Sequence, residues 1–307
     1  MPPSRRTFML YTLLFLVLTY LILTQPAISL HYAFHGFTLW YSKMIPSLLP
    51  FMILSGMLVR MNLTDHFSKV LHPLLKRLFR CNGHLSFGII MGFLCGFPMG
   101  AKVTADLLHH HKISKREAEF LLAFCNNIGP VYFCTFVIPL LGLNTPAPYL
   151  FGMYGLPFLY GIVIRRTLFR DLDPVNSKFL DKSMKPTSPL PLFTALDEAI
   201  HTSIQSILML CGYMILFNLL NILPHFFFPK FHHYLAPLLE ITGGLSMLGQ
   251  TLPLYSLCLL PFGGFSCIAQ THSMIAGTGL SIQKYILHKV LLTILTIAYY
   301  GILTLIP

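Results

Sequence analysis

Charge is scarce in this sequence. Asp, Glu, Lys and Arg supply 10% of the 307 residues and hydrophobic types 55%, whereas an ordinary soluble domain carries roughly 25% charged residues. The deficit excludes a large water-soluble core and points to a polytopic membrane protein. The length allows roughly seven to nine spans of about 20 residues each. Acidic residues are scarcer still, 10 against 21 Lys and Arg, for a net charge of +11. The basic residues nevertheless fall in short runs between apolar segments, as the positive-inside rule requires, and not along one nucleic-acid-binding face. No nucleic-acid partner is expected. Tryptophan occurs once, at Trp40 beside Tyr41, a pair suited to a membrane interface.

Patterns that carry chemistry are also missing. The seven cysteines (Cys81, Cys95, Cys125, Cys134, Cys211, Cys258 and Cys267) form no CxxC pair and mostly lie in apolar runs. They read as small buried hydrophobes, not as a disulfide framework or thiolate site. Fourteen histidines include no HExxH, and the adjacent His109, His110 and His111 splay around a helix end. No metal and no cofactor are expected. No Ser/His/Asp set or phosphate-binding loop stands out, so no catalytic residues are assigned and the chain is expected not to be an enzyme.

What the chain does have is long hydrophobic runs broken by glycine and proline. Residues 1–35 hold an apolar run, Phe8 to Thr24, behind Arg5 and Arg6, expected to be an uncleaved span with a cytoplasmic N-terminus. Residues 36–166 form a first repeat. It opens with a kinked approach at Pro46 and Pro50, followed by an amphipathic basic stretch carrying Lys69, Lys76, Arg77 and Arg80. The segment 85–111 is broken near its middle by Gly96, Pro98 and Gly100 and is flanked on both sides by basic residues, so a re-entrant hairpin is expected there. Ser114 and Glu117 form a capping box that starts a helix running toward Leu141, interrupted at Asn126-Asn127-Ile128-Gly129-Pro130. A further span leads to Arg165-Arg166. Residues 167–194 read as a basic cytoplasmic linker.

Residues 195–307 form the second repeat, with a span to about Leu223, Glu240 in apolar surroundings, and a final span near 282–306. A second hairpin is expected near 251–278, broken at Gly263 and Gly264. Laying Gly96-Phe97 on Gly264-Phe265 places Ala101-Lys102 on Ala269-Gln270 and Ser114 within one residue of Ser281. With one span between them the two hairpins should open to opposite sides, making the fold an all-α membrane protein of two inverted repeats. Gly277 to Ser281 is then expected outside the cell and Ser114 inside.

The motifs CGFPMGAK, KISKREAEFLLAFCNNIGP, LWYSKMIPSLLPF, LLEITGG and PFGGFSCIAQ, in this order, resemble the sporulation integral membrane protein YlbJ family. That family belongs to the wider nucleoside-recognition or transporter Gate group. The resemblance covers about Gly36 to Ile306. It implies an all-helical permease in a bacterial cell membrane, or a forespore membrane in spore formers, where it implies a link to moving dipicolinate.

Lys102 is the one basic residue in the apolar part of either expected hairpin, and a charge at mid-membrane costs roughly 2.5–3.5 kcal/mol unless paired or hydrated. It is read as meeting an anionic, carboxylate-bearing solute, with a local pair to Asp106 at i+4 as the bland alternative. Asn126, Asn127, Ser266 and Gln270 are the polar residues that could join it. Asp106 and Glu240 are the acids open to coupling a proton or sodium. Glu240 has the alternative of capping Gly243-Gly244. Gly96, Pro98, Gly100, Gly263 and Gly264 are assigned to sharp turns and close helix approach. The expected partners are a small solute, the lipid bilayer and, as an open option, further copies of the chain. A nucleoside-type solute, or a non-transporting role in spore assembly, are the alternative functions.

Overall fold

The computed structural model describes residues 5–143, 146–172 and 189–305. Every regular element among them is helical. Most of the basic linker expected at 167–194 therefore lies outside the described residues. Five helices are long and apolar enough to cross a bilayer: Pro26–Arg60, Pro146–Arg166, Leu192–Phe227, Pro253–Met274 and Ile282–Leu303. Their outward faces carry Leu, Ile, Phe and Val, many of them more than 40% exposed. In water that surface would be a liability; against acyl chains it costs nothing.

Between these crossings the chain folds back on itself twice. The helices Gly83–Cys95 and Met99–His109 are joined by a turn at residues 96–98. They pack antiparallel, so that a Cβ on Gly88 would lie 3.3 Å from the Leu107 side chain. At about 1.5 Å per residue neither half reaches across a roughly 30 Å hydrocarbon layer. The second reversal is at Glu240, between His232–Leu239 and Ile241–Leu248. Gly244 there lies so close to the preceding helix that a Cβ would fall 2.2 Å from the Pro237 nitrogen. Only a residue without a side chain can sit at that position.

The expectation of a second hairpin at 251–278 is corrected by this arrangement. Pro253–Leu259 and Gly264–Met274 are interrupted at Leu260–Gly263 but continue as one 22-residue apolar segment. Gly263 and Gly264, both with positive φ, bend this segment without reversing it, and the reversal falls one element earlier.

The expected sidedness is corrected as well. Ser114 caps the helix Lys115–Phe124 by accepting from the Glu117 amide, and the Glu117 carboxylate accepts from the Ser114 amide, completing the capping box. Ser281 caps Ile282–Leu303 by accepting from the Lys284 amide. These two helix starts lie side by side, because Lys284 Nζ is 2.9 Å from Glu119 Oε1. Further along, Asn126 meets Tyr285 and Asn127 meets Lys289, so the two helices run parallel. Residues 277–281 therefore share one end of the molecule with Ser114. The units around 85–111 and 251–278 are not an inverted pair.

This geometry fixes a labelling result. In a variant lacking the seven native cysteines, Ser114→Cys and Thr278→Cys should both react with a membrane-impermeant thiol reagent added to the same side, and neither from the other. Modification from opposite sides would contradict the parallel course of the two helices.

Candidate functional site

Four interruptions in the helices meet near the middle of the molecule, and each is closed by another. Gly96, at φ 80°, presses against the break in the crossing segment 115–141; a Cβ on it would lie 2.2 Å from the Gly129 nitrogen. The next residue, Phe97, lies against Gly263 of the break at 260–263. Gly264 in turn abuts the carbonyls of Pro237 and Leu238 at the Glu240 reversal. Freed backbone groups at such depth must find protein partners, since lipid offers none. The four breaks are mutually dependent for this reason.

They border a narrow, partly open cavity with about 500 Å³ of empty space. Cys95 and Phe97 come from the first break, Gly129 and Tyr132 from the second, Glu240 and Thr242 from the reversal, and Gln270 from the last. Ser47 and Met214, on the long helices Pro26–Arg60 and Leu192–Phe227, complete the wall. Helix N-termini at Met99, Pro130 and Gly264 face this region, none capped by its own N-cap side chain. Helix N-termini carry partial positive charge and free N–H donors.

The residues singled out from sequence are distributed unequally about this cavity. Gln270 lines it, with its amide donating to Ser266 Oγ at 2.8 Å one turn back. Asn126 and Asn127 are fully enclosed and hold the wall. Asn126 accepts from the Ala101 amide at 3.3 Å and donates to Thr271 Oγ1 at 3.0 Å and to the Tyr285 hydroxyl at 3.1 Å. It thereby ties the first hairpin, the second break and the last helix at one point. Asn127 donates to the Phe124 carbonyl at 2.6 Å. Lys102 is buried one turn past Pro98, does not line the cavity, and pairs with Asp106 at 3.3 Å. Glu240 lines the cavity, but its carboxylate caps its own helix. It accepts from the Thr242 amide at 3.1 Å, the Gly243 amide at 2.6 Å and the Asn218 side chain at 3.2 Å.

The structure adds a residue that is not among the candidates from sequence. Lys289 is 1% exposed. Its Nζ donates to Asn127 Oδ1 at 2.9 Å and stands 4.4 Å from the centroid of the Phe97 ring. Phe97 is itself cavity wall, so the lysine lies one side chain behind the lining. No carboxylate among the described residues forms an ion pair with it. Its signal in the sequence was the second Lys of a 22-residue apolar helix, eight residues beyond the Ser281 cap and too deep to snorkel.

Residues 41–144 match the Gate family, described as nucleoside recognition. This stretch holds the first hairpin and the break that closes on it. The chain is also 30% identical over 226 residues to the sporulation integral membrane protein YlbJ of Bacillus subtilis (strain 168). The resemblance to the YlbJ family holds. The match takes in 67% of this chain and 54% of that protein, so the chain spans about half the length of the curated relative it matches. No solved structure matches the chain. Together with the five apolar crossings, the similarity makes this a multi-pass membrane protein.

The hydrogen bonding of this YlbJ-like centre predicts which substitutions unfold it. Asn126→Ala removes hydrogen bonds to three groups and strands the Ala101 amide, and Glu240→Ala uncaps a buried helix and takes one acceptor from Asn218. Each should cost about 2–3 kcal/mol. Gln270→Ala loses one bond and should cost less than about 1 kcal/mol. Thermal unfolding in detergent would rank them, and a Gln270 variant as unstable as the other two would contradict this division between wall and lining.

Proposed function

We propose that this chain is a membrane permease, not an enzyme, which carries a small carboxylate-bearing anion through the cavity at the four helix breaks. The observation that carries the reading is the convergence there of the helix starts at Met99, Pro130 and Gly264, none capped by its own N-cap side chain, with Lys289 close behind the wall. At membrane depth, preorganised N–H donors and an uncompensated cation attract negative charge far more strongly than in water. Gln270, and the backbone at Gly129 and Phe97, would orient the solute. Asn127 and Phe97 hold Lys289 in place. Lys102 is neutralised by Asp106 and has a smaller part; the pair sits where a proton or sodium could be coupled.

The same reading gives the architecture an inverted repeat with its units shifted from those expected. Each unit runs as a long crossing, a fold-back, an interrupted crossing and a second crossing. The first comprises Pro26–Arg60, the hairpin at 96–98, the segment 115–141 and Pro146–Arg166; the second comprises Leu192–Phe227, the hairpin at Glu240, Pro253–Met274 and Ile282–Leu303. With the basic end inside, one hairpin opens inward and the other outward. Rocking one unit against the other about the shared breaks would expose the cavity to each side in turn.

The decisive measurement is uptake into proteoliposomes, with dicarboxylates including dipicolinate and with nucleosides as competitors. Lys289→Gln should weaken apparent affinity for the anion by tenfold or more, about 1.4 kcal/mol, by removing a charge close behind the lining. Lys102→Gln should change it by less than about threefold, because that charge is already paired. Anion uptake that Lys289→Gln leaves unaltered in a folded protein would overturn the reading. The Gate match, with Gln270, Phe97 and Tyr132 in the lining, favours a nucleoside as the second choice. Nucleoside uptake without anion uptake would select it. Uptake of neither would leave the role in spore assembly.

A further inference from the structure

A second concave site lies at the basic end, away from the cavity. Arg80, Arg165, Arg166 and Arg170 converge with Leu78 on one cleft with about 740 Å³ of empty space. The positive-inside rule accounts for arginines on this side of the membrane, but not for four of them facing one another. Arg165 is 3% exposed, and its guanidinium is spent on backbone carbonyls: Phe79 at 2.6 Å, Phe169 at 2.6 Å, Arg80 at 3.2 Å, and Leu172. It staples the end of the helix His72–Phe79 to the turn after Pro146–Arg166. The staple holds Arg80 on one lip at a fixed distance from Arg166 and Arg170 on the other. Those three side chains are exposed, and none has an ion-pair partner among the described residues. The nearby carboxylate, Asp171, is engaged by Arg116 Nε at 3.1 Å.

We infer that this cleft binds the phosphate of an anionic phospholipid headgroup. Three guanidiniums on a stapled frame suit phosphate oxygens, which accept paired N–H bonds. The surroundings favour a lipid over a free anion. Leu78 lines the cleft, and Leu74, one turn earlier on the same helix face, is 56% exposed. Val70 and Leu71 are exposed just before it. This helix therefore offers an apolar track beside the charges, as an acyl chain below a bound headgroup requires.

The test is native mass spectrometry of the full chain released from phosphatidylcholine nanodiscs doped with cardiolipin or phosphatidylglycerol. The wild type should retain the anionic lipid over phosphatidylcholine. The combined change Arg80→Gln, Arg166→Gln and Arg170→Gln should lower that retention by about a hundredfold, at roughly fivefold per arginine. The control Lys69→Gln, Lys76→Gln and Arg77→Gln removes equal charge from the neighbouring stretch and should retain it. Equal loss in both variants would reduce the effect to bulk surface charge and overturn the site. A second readout needs no variant: the melting temperature of wild-type protein in neutral detergent should rise with added cardiolipin and not with millimolar inorganic phosphate. An equal rise with phosphate alone would overturn the lipid assignment.

Discussion

Backbone polarity at membrane depth is the constraint on which the rest of this structure depends. A helix that stops in hydrocarbon leaves N–H and C=O groups open, each costing several kcal/mol. This chain stops helices there four times, and every stop is shielded by another: Gly96 by Gly129, Phe97 by Gly263, and Gly264 by the reversal at Glu240. The glycines are placed by that mutual closure, because backbone can meet backbone at these distances only where no Cβ intervenes. The cavity is what remains between the four ends. Its position is a consequence of helix termination, which is why the proposed solute site and the weakest part of the secondary structure coincide.

The polar side chains around the cavity divide by the same logic. Asn126 and Glu240 lie beside it, yet nearly all their capacity is spent on groups that the breaks leave open. Lys289 has the opposite character. It has an amide oxygen and two aromatic faces as neighbours, which hold a cation without cancelling its charge. A buried lysine with no counter-ion among the described residues costs stability, a compromise met more often at functional sites than in cores. Lys102, with Asp106 at hand, carries no such cost.

Much of the fold was legible in the sequence because the signals are local. The apolar runs, the capping box at Ser114 and Glu117, and the breaks at 96–100, 126–130 and 263–264 all appear where the residues put them. Whether a broken helix folds back or carries on is a different kind of question. Gly-Gly at 263–264 and Gly-Phe-Pro at 96–98 both interrupt a helix, but only the second reverses the chain, and neighbouring elements decide which. The true second reversal had a local trace of its own. Between Phe231 and Gly249 there are too few residues to cross a bilayer and return, and Glu240 stands just ahead of Gly243-Gly244 as an N-cap would. Lys289 escaped notice because its meaning depends on Asn127 and Phe97, more than 160 positions away in the chain.

The shift of the second fold-back from Gly263-Gly264 to Glu240 changes what the sequence similarity between the two glycine motifs means. In the proposed inverted repeat, with the reversal at Glu240, the partner of CGFPMG is LLEITGG, and the partner of FCNNIGP is PFGGFSC. Gly96 and Gly264 then belong to different classes of element, a hairpin tip and a crossing break, which touch through Phe97 at the centre. Local likeness there follows from a common physical demand, a glycine wherever two backbones meet at depth. The demand also explains how hairpins of unlike sequence can be equivalent. The first turn is built on glycine and proline and takes its side-chain cap from Asn126 on another segment, whereas the second is built on one carboxylate that caps its own helix. The two units are therefore electrically unequal at the cavity. The first hairpin and the two interrupted segments present the positive ends of helices, and the second hairpin presents a carboxylate already occupied. A negatively charged group would settle toward Met99, Pro130 and Gly264, the side on which Phe97 and Lys289 stand.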